Sequence, residues 1–332
     1  MARYSKMLSK HNGPRHDPAR RLSWAYLRDS QHWISTARFH LYTLYLTCAS
    51  NVGDIVLSGI MFSAVNSSIA PLHGMGHALS IHQILLRVPH MLLWSFSNLF
   101  LFCLHNQKRP ETIIEDRMNK PWRPIPSGRL TERQASGLLY LMHPLCLLIA
   151  WSLRSFIPYV VLTSFHLWYN ELGGASNGVL KNIHNAVGII CFFTGPLEVA
   201  TQHSILDANS NFKAWLITLT AIFATTCHTQ DFRDMSGDRA AGRQTIPLML
   251  GDVPCRVLTA VAVVIWTVAA RVLWGQEWQL MVCADVSGLV LIANLLLNRT
   301  TKADILSWKL WSVWVFGLII IPCLKVGRDS NH

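Results

Sequence analysis

The chain has 332 residues, of which 51% are hydrophobic and only 14% charged, with a formal net charge of +11 at neutral pH. Soluble domains carry about 25% charged residues, so this composition excludes an ordinary water-soluble enzyme. The basic excess fits contact with anionic lipid; no nucleic-acid partner and no obligate protein partner is expected.

In chain order, the first 38 residues carry Arg3, Lys6, Lys10, Arg15, Arg20, Arg21, Arg28 and Arg38 without an apolar h-region, so they are not a signal peptide. Residues 1–38 are expected to form a basic cytosolic arm, partly disordered, with order beginning near residue 22. Apolar runs then follow at Ile55 to Leu72, Leu85 to Leu104, Ala135 to Leu153, Phe156 to Leu172, Leu180 to Ala200, Phe212 to Cys227, Val253 to Trp274, Leu280 to Leu297 and Ile305 to Leu324. Several reach the ~20 residues that cross a bilayer. The expected fold is therefore all-α, an integral membrane bundle of about nine transmembrane helices over residues 39–325, with a short tail at 326–332 and no second soluble domain.

Basic residues collect in alternate loops. Lys108, Arg109, Arg117, Lys120, Arg123, Arg129, Lys181, Arg233, Arg239, Arg243, Arg299 and Lys302 fall on the side of the N-terminal arm, whereas the opposite loops hold almost only Arg154 and Lys213. The positive-inside rule then orients those loops to the cytosol, and the endoplasmic reticulum is the expected membrane. The eight cysteines lack C-x-x-C spacing, so neither a zinc site nor a disulfide framework is indicated. Among the histidines, His82, His90 and His228 are minor candidates only.

Two polar stretches interrupt the apolar sequence on that one face. In the second, Asp231, Asp234 and Asp238 are spaced i, i+3, i+7, along one face of a helix. Three like charges on one stripe repel unless cations lie between them. Mg²⁺ takes hard oxygen ligands and shares its coordination between carboxylates and substrate phosphates, while Arg233, Arg239 and Arg243 supply fixed positive charge to the same anion. The first stretch runs from Asn106 through Glu111, Glu115, Asp116 and Asn119 to Lys120; Pro121, Pro124 and Pro126 then forbid a continuing helix and carry Arg123 and Arg129 back over the site. A transporter would show broken, repeated spans at the midplane; here charge gathers at one membrane face.

The run Asn-Lys-Pro-Trp-Arg-Pro-Ile-Pro-Ser-Gly-Arg at 119–129, together with Asp231-Phe-Arg-Asp234 through Gly237-Asp238-Arg239 to Gly242-Arg243 and Thr245-Ile-Pro247, resembles the UbiA superfamily of intramembrane prenyltransferases. The resemblance implies a helical bundle with a large cavity in which two aspartate-rich motifs bind Mg²⁺ and an isoprenoid diphosphate. It departs from the family's N-x-x-x-D-x-x-x-D first motif. Counting back from the Arg-Pro loop, Asp116 takes the last aspartate position, Thr112 the earlier one and Lys108 the asparagine position, with Asn106 displaced by two. Either Glu111 or Glu115 is available to replace the absent carboxylate. In this the chain is similar to the fungal UbiA-type terpene cyclases.

The mechanism that the resemblance implies has Mg²⁺ held by Asp116 with Asn106 or Glu115, and by Asp231, Asp234 and Asp238. Lys120, Arg123, Arg129, Lys181, Arg233, Arg239 and Arg243 bind the diphosphate. Ionisation leaves a carbocation among aromatic rings, for which Trp94, Phe96, Phe100, Phe165, Trp168, Tyr169, Phe192 and Phe193 are candidates. Closure on the chain's own double bonds makes a cyclase acting on farnesyl or geranylgeranyl diphosphate; capture by an aromatic or other small acceptor makes a prenyltransferase. The motifs do not separate these outcomes. Asp54, Glu198 and Asp285 lie in or at the edge of spans, where a carboxylate is costly unless paired or facing a cavity.

Overall fold

A computed structural model describes residues 18–172, 174, 177–275 and 281–324, with side chains from residue 32 onward. Most of the basic arm's first half and the tail at 326–332 lie outside the described residues. Within the arm, helix α1 (Pro18–Cys48) already begins at Pro18, earlier than the sequence indicates. From Leu46 onward the chain is one compact unit.

Among its described residues that unit is mostly helical, and its helix starts follow local chemistry. A π-helical turn (Val52–Leu57) leads into α2 (Ser58–Ser68) and the short α3 (Ala70–His73). The expected span Ile55 to Leu72 is thus broken rather than continuous: Ile69 leaves helical geometry, and Pro71, just inside α3, has no backbone N–H to carry a helix through. Helix α4 (Ile81–Gln107) opens with a capping box in which Ser80 and Gln83 each satisfy the other's backbone N–H. Then come α5 (Pro110–Asn119), α6 (Glu132–Ser152), which starts on the same device between Thr131 and Gln134, and α7 (Phe156–Glu171). Helices α8 (Gly178–Thr201) and α9 (Ser210–Thr226) start on asparagine caps at Asn177 and Asn209. After them come α10 (Asp231–Ala240), α11 (Ile246–Leu250), α12 (Asp252–Trp274), α13 (Val282–Leu297) and α14 (Thr301–Ile319). Among the described residues the only β-type pairing is the isolated bridge between Asn177 and Gln244.

Five of these helices are long and apolar enough to cross a membrane, namely α4, α6, α8, α12 and α14, and α13 is a shorter apolar helix. Helix α8 packs against α2, α4, α7 and α9 and is largely buried. By contrast, α12 turns Val257, Val261, Val264, Ile265, Val268 and Val272 outward. So large an exposed apolar face is untenable in water and natural in lipid. Two apolar clusters fill the interior, one around α9, α12, α13 and α14, the other around α4 and α6, and both reach α8.

Candidate active site

The second motif forms as its spacing dictates. Asp231 opens α10 directly after a 3₁₀ turn (Cys227–Gln230) that ends α9, and Asp231, Asp234 and Asp238 share one face. Asp231 and Asp238 are buried and Asp234 is half-buried. The helix closes on Gly242, whose φ of 67° only glycine adopts without strain. There the N–H of Arg243 donates to Asp238 O at 2.9 Å and the N–H of Gly242 to Arg239 O at 3.2 Å, the double bond of a Schellman ending. The turn brings Arg243 back beside the aspartates.

The first motif is built across a helix break. Helix α4 ends at Gln107 and α5 restarts at Pro110, which resets the helical register and explains how Asn106, displaced in sequence, still reaches the site. Its Oδ1 accepts from Thr112 Oγ1 at 3.2 Å, and that hydroxyl accepts from Arg243 Nη2 at 2.8 Å. Of the two glutamates available to replace the missing aspartate, Glu115 is buried and faces the site. Glu111 is exposed and lies 3.6 Å from Arg109. Asp116 is fully buried, and Arg123 Nη1 holds both its oxygens, at 2.8 and 3.0 Å, while Nη2 reaches Ser50 at 2.7 Å. Asp116 therefore anchors the Arg-Pro loop and does not line the cavity described below. Arg129 and Arg239 do not line it either, and Arg239 is exposed.

Cations join the two motifs. Lys120 Nζ is 3.2 Å from Glu115 Oε1 and 3.5 Å from Asp234 Oδ2; Arg243 touches Glu115 and lies 3.3 Å from Asp238 Oδ1; Lys181 of α8 is 2.7 Å from Asp231 Oδ1. Backbone contact reinforces this, since Asn119 Nδ2 donates to Asp234 O at 3.4 Å. Gly237 permits it: a Cβ there would fall far inside contact distance of the Asn119 amide. Gly237→Ala is therefore expected to push α5 from α10 and lower turnover by roughly tenfold, about 1.4 kcal/mol. Adding Asn119→Ala, which opens the space, should restore most of it; an alanine enzyme of native turnover would show the approach to be dispensable.

The charges set one another's protonation. Burial alone would raise the Glu115 carboxyl, but Lys120 and Arg243 beside it hold it down at about 2. Burial pushes Asp238 up to about 6 against the pull of Lys181, with Asp231 adding to the rise. Asp116 also rises through burial, opposed by Arg123.

These residues floor one cavity of about 1480 Å³, counting the space at its open mouth. Asn106, Glu115, Lys120, Arg123, Lys181, Asp231, Arg233, Asp234, Asp238 and Arg243 all line it. Its other walls are aromatic. Of the rings expected from sequence, Phe165, Tyr169, Phe192 and Phe193 face it, whereas Trp94, Phe96, Phe100 and Trp168 do not. Trp94 is buried in the core with its indole on Ser155 O at 3.2 Å. The sequence reading missed Phe102, Phe223, Trp308, Trp311 and Phe316. Their signal was present in α14, where Trp308, Trp311, Val315 and Ile319 recur at helical spacing, a pattern shared by cavity walls and ordinary cores. The other intramembrane carboxylates lie off the cavity. Glu198 accepts from Ile205 N and Ser204 Oγ, and Asp285 pairs with Arg271 at 2.7 Å.

The donor set suits a divalent cation. Asp231 Oδ2 and Asp238 Oδ2 are buried with no hydrogen-bond partner, an arrangement that is costly unless something else satisfies them. They are hard, anionic oxygens beside Asp234, Glu115 and Asn106. As they stand, no three His, Cys, Asp or Glu side chains among the described residues converge on one point, because Lys120, Lys181 and Arg243 occupy the intervening positions. Since a ligating carboxylate must be ionised, a divalent cation held at Asp238 would bind about tenfold more weakly per pH unit as pH drops below that group's value of about 6. Calorimetric titration checks this; an Asp238→Asn protein with the same acid dependence would refute the assignment.

A profile of the UbiA prenyltransferase family matches residues 111–313, which include Glu115 and Asp116 and the whole of α10. The chain is 31% identical to the fumagillin beta-trans-bergamotene synthase of Aspergillus fumigatus, over 69% of this chain and 78% of that protein. It is 30% identical to a diterpene cyclase of Hericium erinaceus, over 51% and 53%. The solved UbiA homolog from Archaeoglobus fulgidus bound to GPP and Mg²⁺ shares the fold, with a TM-score of 0.57 at 14% identity over 85% of this chain and 99% of that one. A polar floor and an aromatic wall built from these motifs on these helices thus have a known lineage: the protein is an integral membrane enzyme of the UbiA prenyltransferase family.

Proposed function

We propose that the protein is a Mg²⁺-dependent class I terpene cyclase that ionises farnesyl or geranylgeranyl diphosphate and closes the resulting cation on itself. The observation that carries this reading is a single cavity with cations and carboxylates at one end and aromatic rings along the rest. Asn106, Glu115, Asp231, Asp234 and Asp238 would hold the divalent ions, which when bound neutralise the diphosphate as Lewis acids. Lys120, Lys181, Arg233 and Arg243 donate to phosphate oxygens and stabilise the charge that grows on the leaving group. The allylic C–O bond breaks with its electron pair on pyrophosphate. The rings of Phe192, Phe193, Phe223 and Trp311 then face the cation, and their apolar wall keeps water from quenching it. Attack by the chain's own double bonds followed by loss of one proton gives a cyclic hydrocarbon.

The relatives described as a synthase and a cyclase support this outcome, while a relative described as a polyprenyl transferase, 29% identical over 55% of this chain, supports transfer to an acceptor. Prenyl transfer to an aromatic or other small acceptor is the second reading. It is favoured by the polar side chains Asn51, Ser58, Asn185 and Ser312, which line the cavity outside the two motifs and are able to hold an acceptor hydroxyl. Purified protein incubated with Mg²⁺ and either diphosphate alone decides: hydrocarbon with pyrophosphate is expected, and strict dependence on a phenolic acceptor overturns cyclisation. The basic loops support a diphosphate end that faces the cytosol, with the endoplasmic reticulum as the expected membrane.

A further inference from the structure

Five carboxylates line the cavity: Asp54, Glu115, Asp231, Asp234 and Asp238. The last four pair with Lys120, Lys181 or Arg243. Asp54 differs. Among the described residues no Lys, Arg or His lies within ion-pair distance of it, and its Oδ2 accepts from the indole N–H of Trp308 at 2.6 Å. It sits in the π-helical turn Val52–Leu57, a geometry that is rare and concentrated at functional sites. Along this turn Asn51, Asp54, Ile55 and Ser58 all face the cavity. Trp308 stacks on Trp311, with ring centroids 4.6 Å apart and planes within 9°, and Arg233 lies over the Trp308 ring at 5.8 Å. The residue thus stands between aromatic wall and diphosphate floor.

Resting on the cyclase reading above, we propose that Asp54 is the proton acceptor that ends the reaction, held in place by Trp308. A carboxylate that lines an apolar cavity without a paired cation is costly, and in a membrane protein such a residue is a functional candidate. A carbocation in this cavity supplies the opposite charge transiently. In the final step the Asp54 carboxylate takes a proton from the carbon next to the cationic centre. The electron pair of that C–H bond becomes the new C=C bond, and Asp54 is left as the neutral acid. The proton passes to water when product leaves. The indole N–H fixes one carboxylate oxygen and leaves the other for the substrate. His166 and His184 also line the cavity; with Nδ1 bonded to Leu180 O at 2.6 Å, His184 keeps an unpartnered, buried Nε2 and is the rival base that the Asp54 variants separate from Asp54. His166 is packed against the Phe102 ring at 4.7 Å. Neither offers an anion.

The test uses the full-length protein in detergent or membranes with Mg²⁺ and farnesyl or geranylgeranyl diphosphate, reading pyrophosphate and organic products separately. Wild-type protein that releases pyrophosphate and hydrocarbon without acceptor satisfies the underlying reading; its failure to do so sinks that reading and this inference together. Asp54→Asn keeps the volume and an oxygen for the indole but removes the base. Pyrophosphate release should persist, while the native hydrocarbon falls about 10²-fold per pyrophosphate, the usual worth of a positioned base, replaced by alcohols or other alkenes. Asp54→Glu keeps an acid one bond further out and should retain hydrocarbon formation with altered double-bond position. An asparagine enzyme with the wild-type product pattern, or one that releases no pyrophosphate while the glutamate enzyme behaves as wild type, overturns the assignment of Asp54 and leaves the cyclase reading intact.

Discussion

Replacing Asp231 or Asp238 with alanine is expected to lower pyrophosphate release by about 10³-fold or more, the scale of losing a principal electrostatic group in a water-excluded site. Each aspartate meets the protein through one oxygen only, Asp231 with Lys181 and Asp238 with Arg243, and its second oxygen is buried and unbonded. That second oxygen is what a cation or cation-bound substrate would use. The alanine variants also strip a partner from a buried cation, and breaking a buried pair costs roughly 3–5 kcal/mol. Asparagine is therefore the cleaner change: it removes the anion while keeping an oxygen near Lys181 or Arg243. Both asparagine variants should stay in the membrane fraction with small shifts in unfolding temperature yet fail to release pyrophosphate from a prenyl diphosphate with Mg²⁺. Asp234, half-buried and 3.5 Å from Lys120, should lose less. Near-native turnover in Asp231→Asn and Asp238→Asn together would remove the second motif from the chemistry.

How far the sequence anticipated this site depends on how local each feature is. Asp231, Asp234 and Asp238 lie within one short helix, so their spacing alone predicts a common face, and α10 has it. Asn106 and Glu115 lie on either side of a break at Lys108 and Arg109, and counting along an unbroken helix misplaces them. Asp116 carries the strongest family signal in the first motif, yet the charge of Arg123 claims it, a contact that depends on where the proline loop returns. Pairing across the bundle is more remote still: nothing local in Lys181 announces that α8 brings it to Asp231. The aromatic wall failed for a different reason. Trp308 and Trp94 are both buried tryptophans in long apolar helices, and only the packing of neighbouring helices turns one toward a cavity and the other into a core. The break within the first apolar segment was hidden because Ile69 and Pro71, which end one helix and start the next, are themselves apolar and leave the composition of the run unchanged.

Arg243 should prove the most sensitive cation. It contacts Glu115 and Thr112 on α5 and Asp238 on α10, so one guanidinium spans both motifs. Lysine carries the same charge on a compact head and lacks the fork that reaches three partners. Arg243→Lys is thus expected to lower turnover by about 10²-fold, near 2.7 kcal/mol. Arg243→Ala should reach about 10³-fold and destabilise the protein as well, because Glu115 and Asp238 are left facing each other with less positive charge between them. The electrostatic signature separates this from general damage. Glu115 is held at about 2 against its burial by Lys120 first and Arg243 second. Without Arg243 its carboxyl moves up, so the acid limb of the activity profile should shift to higher pH. Arg243 also helps restrain Asp238, so its removal reinforces the same shift. Lys120 still links Glu115 to Asp234, which keeps the motifs in register and leaves a pocket that added guanidinium ion should partly rescue. An alanine enzyme with native pyrophosphate release and an unmoved acid limb would mean that the two motifs meet without Arg243.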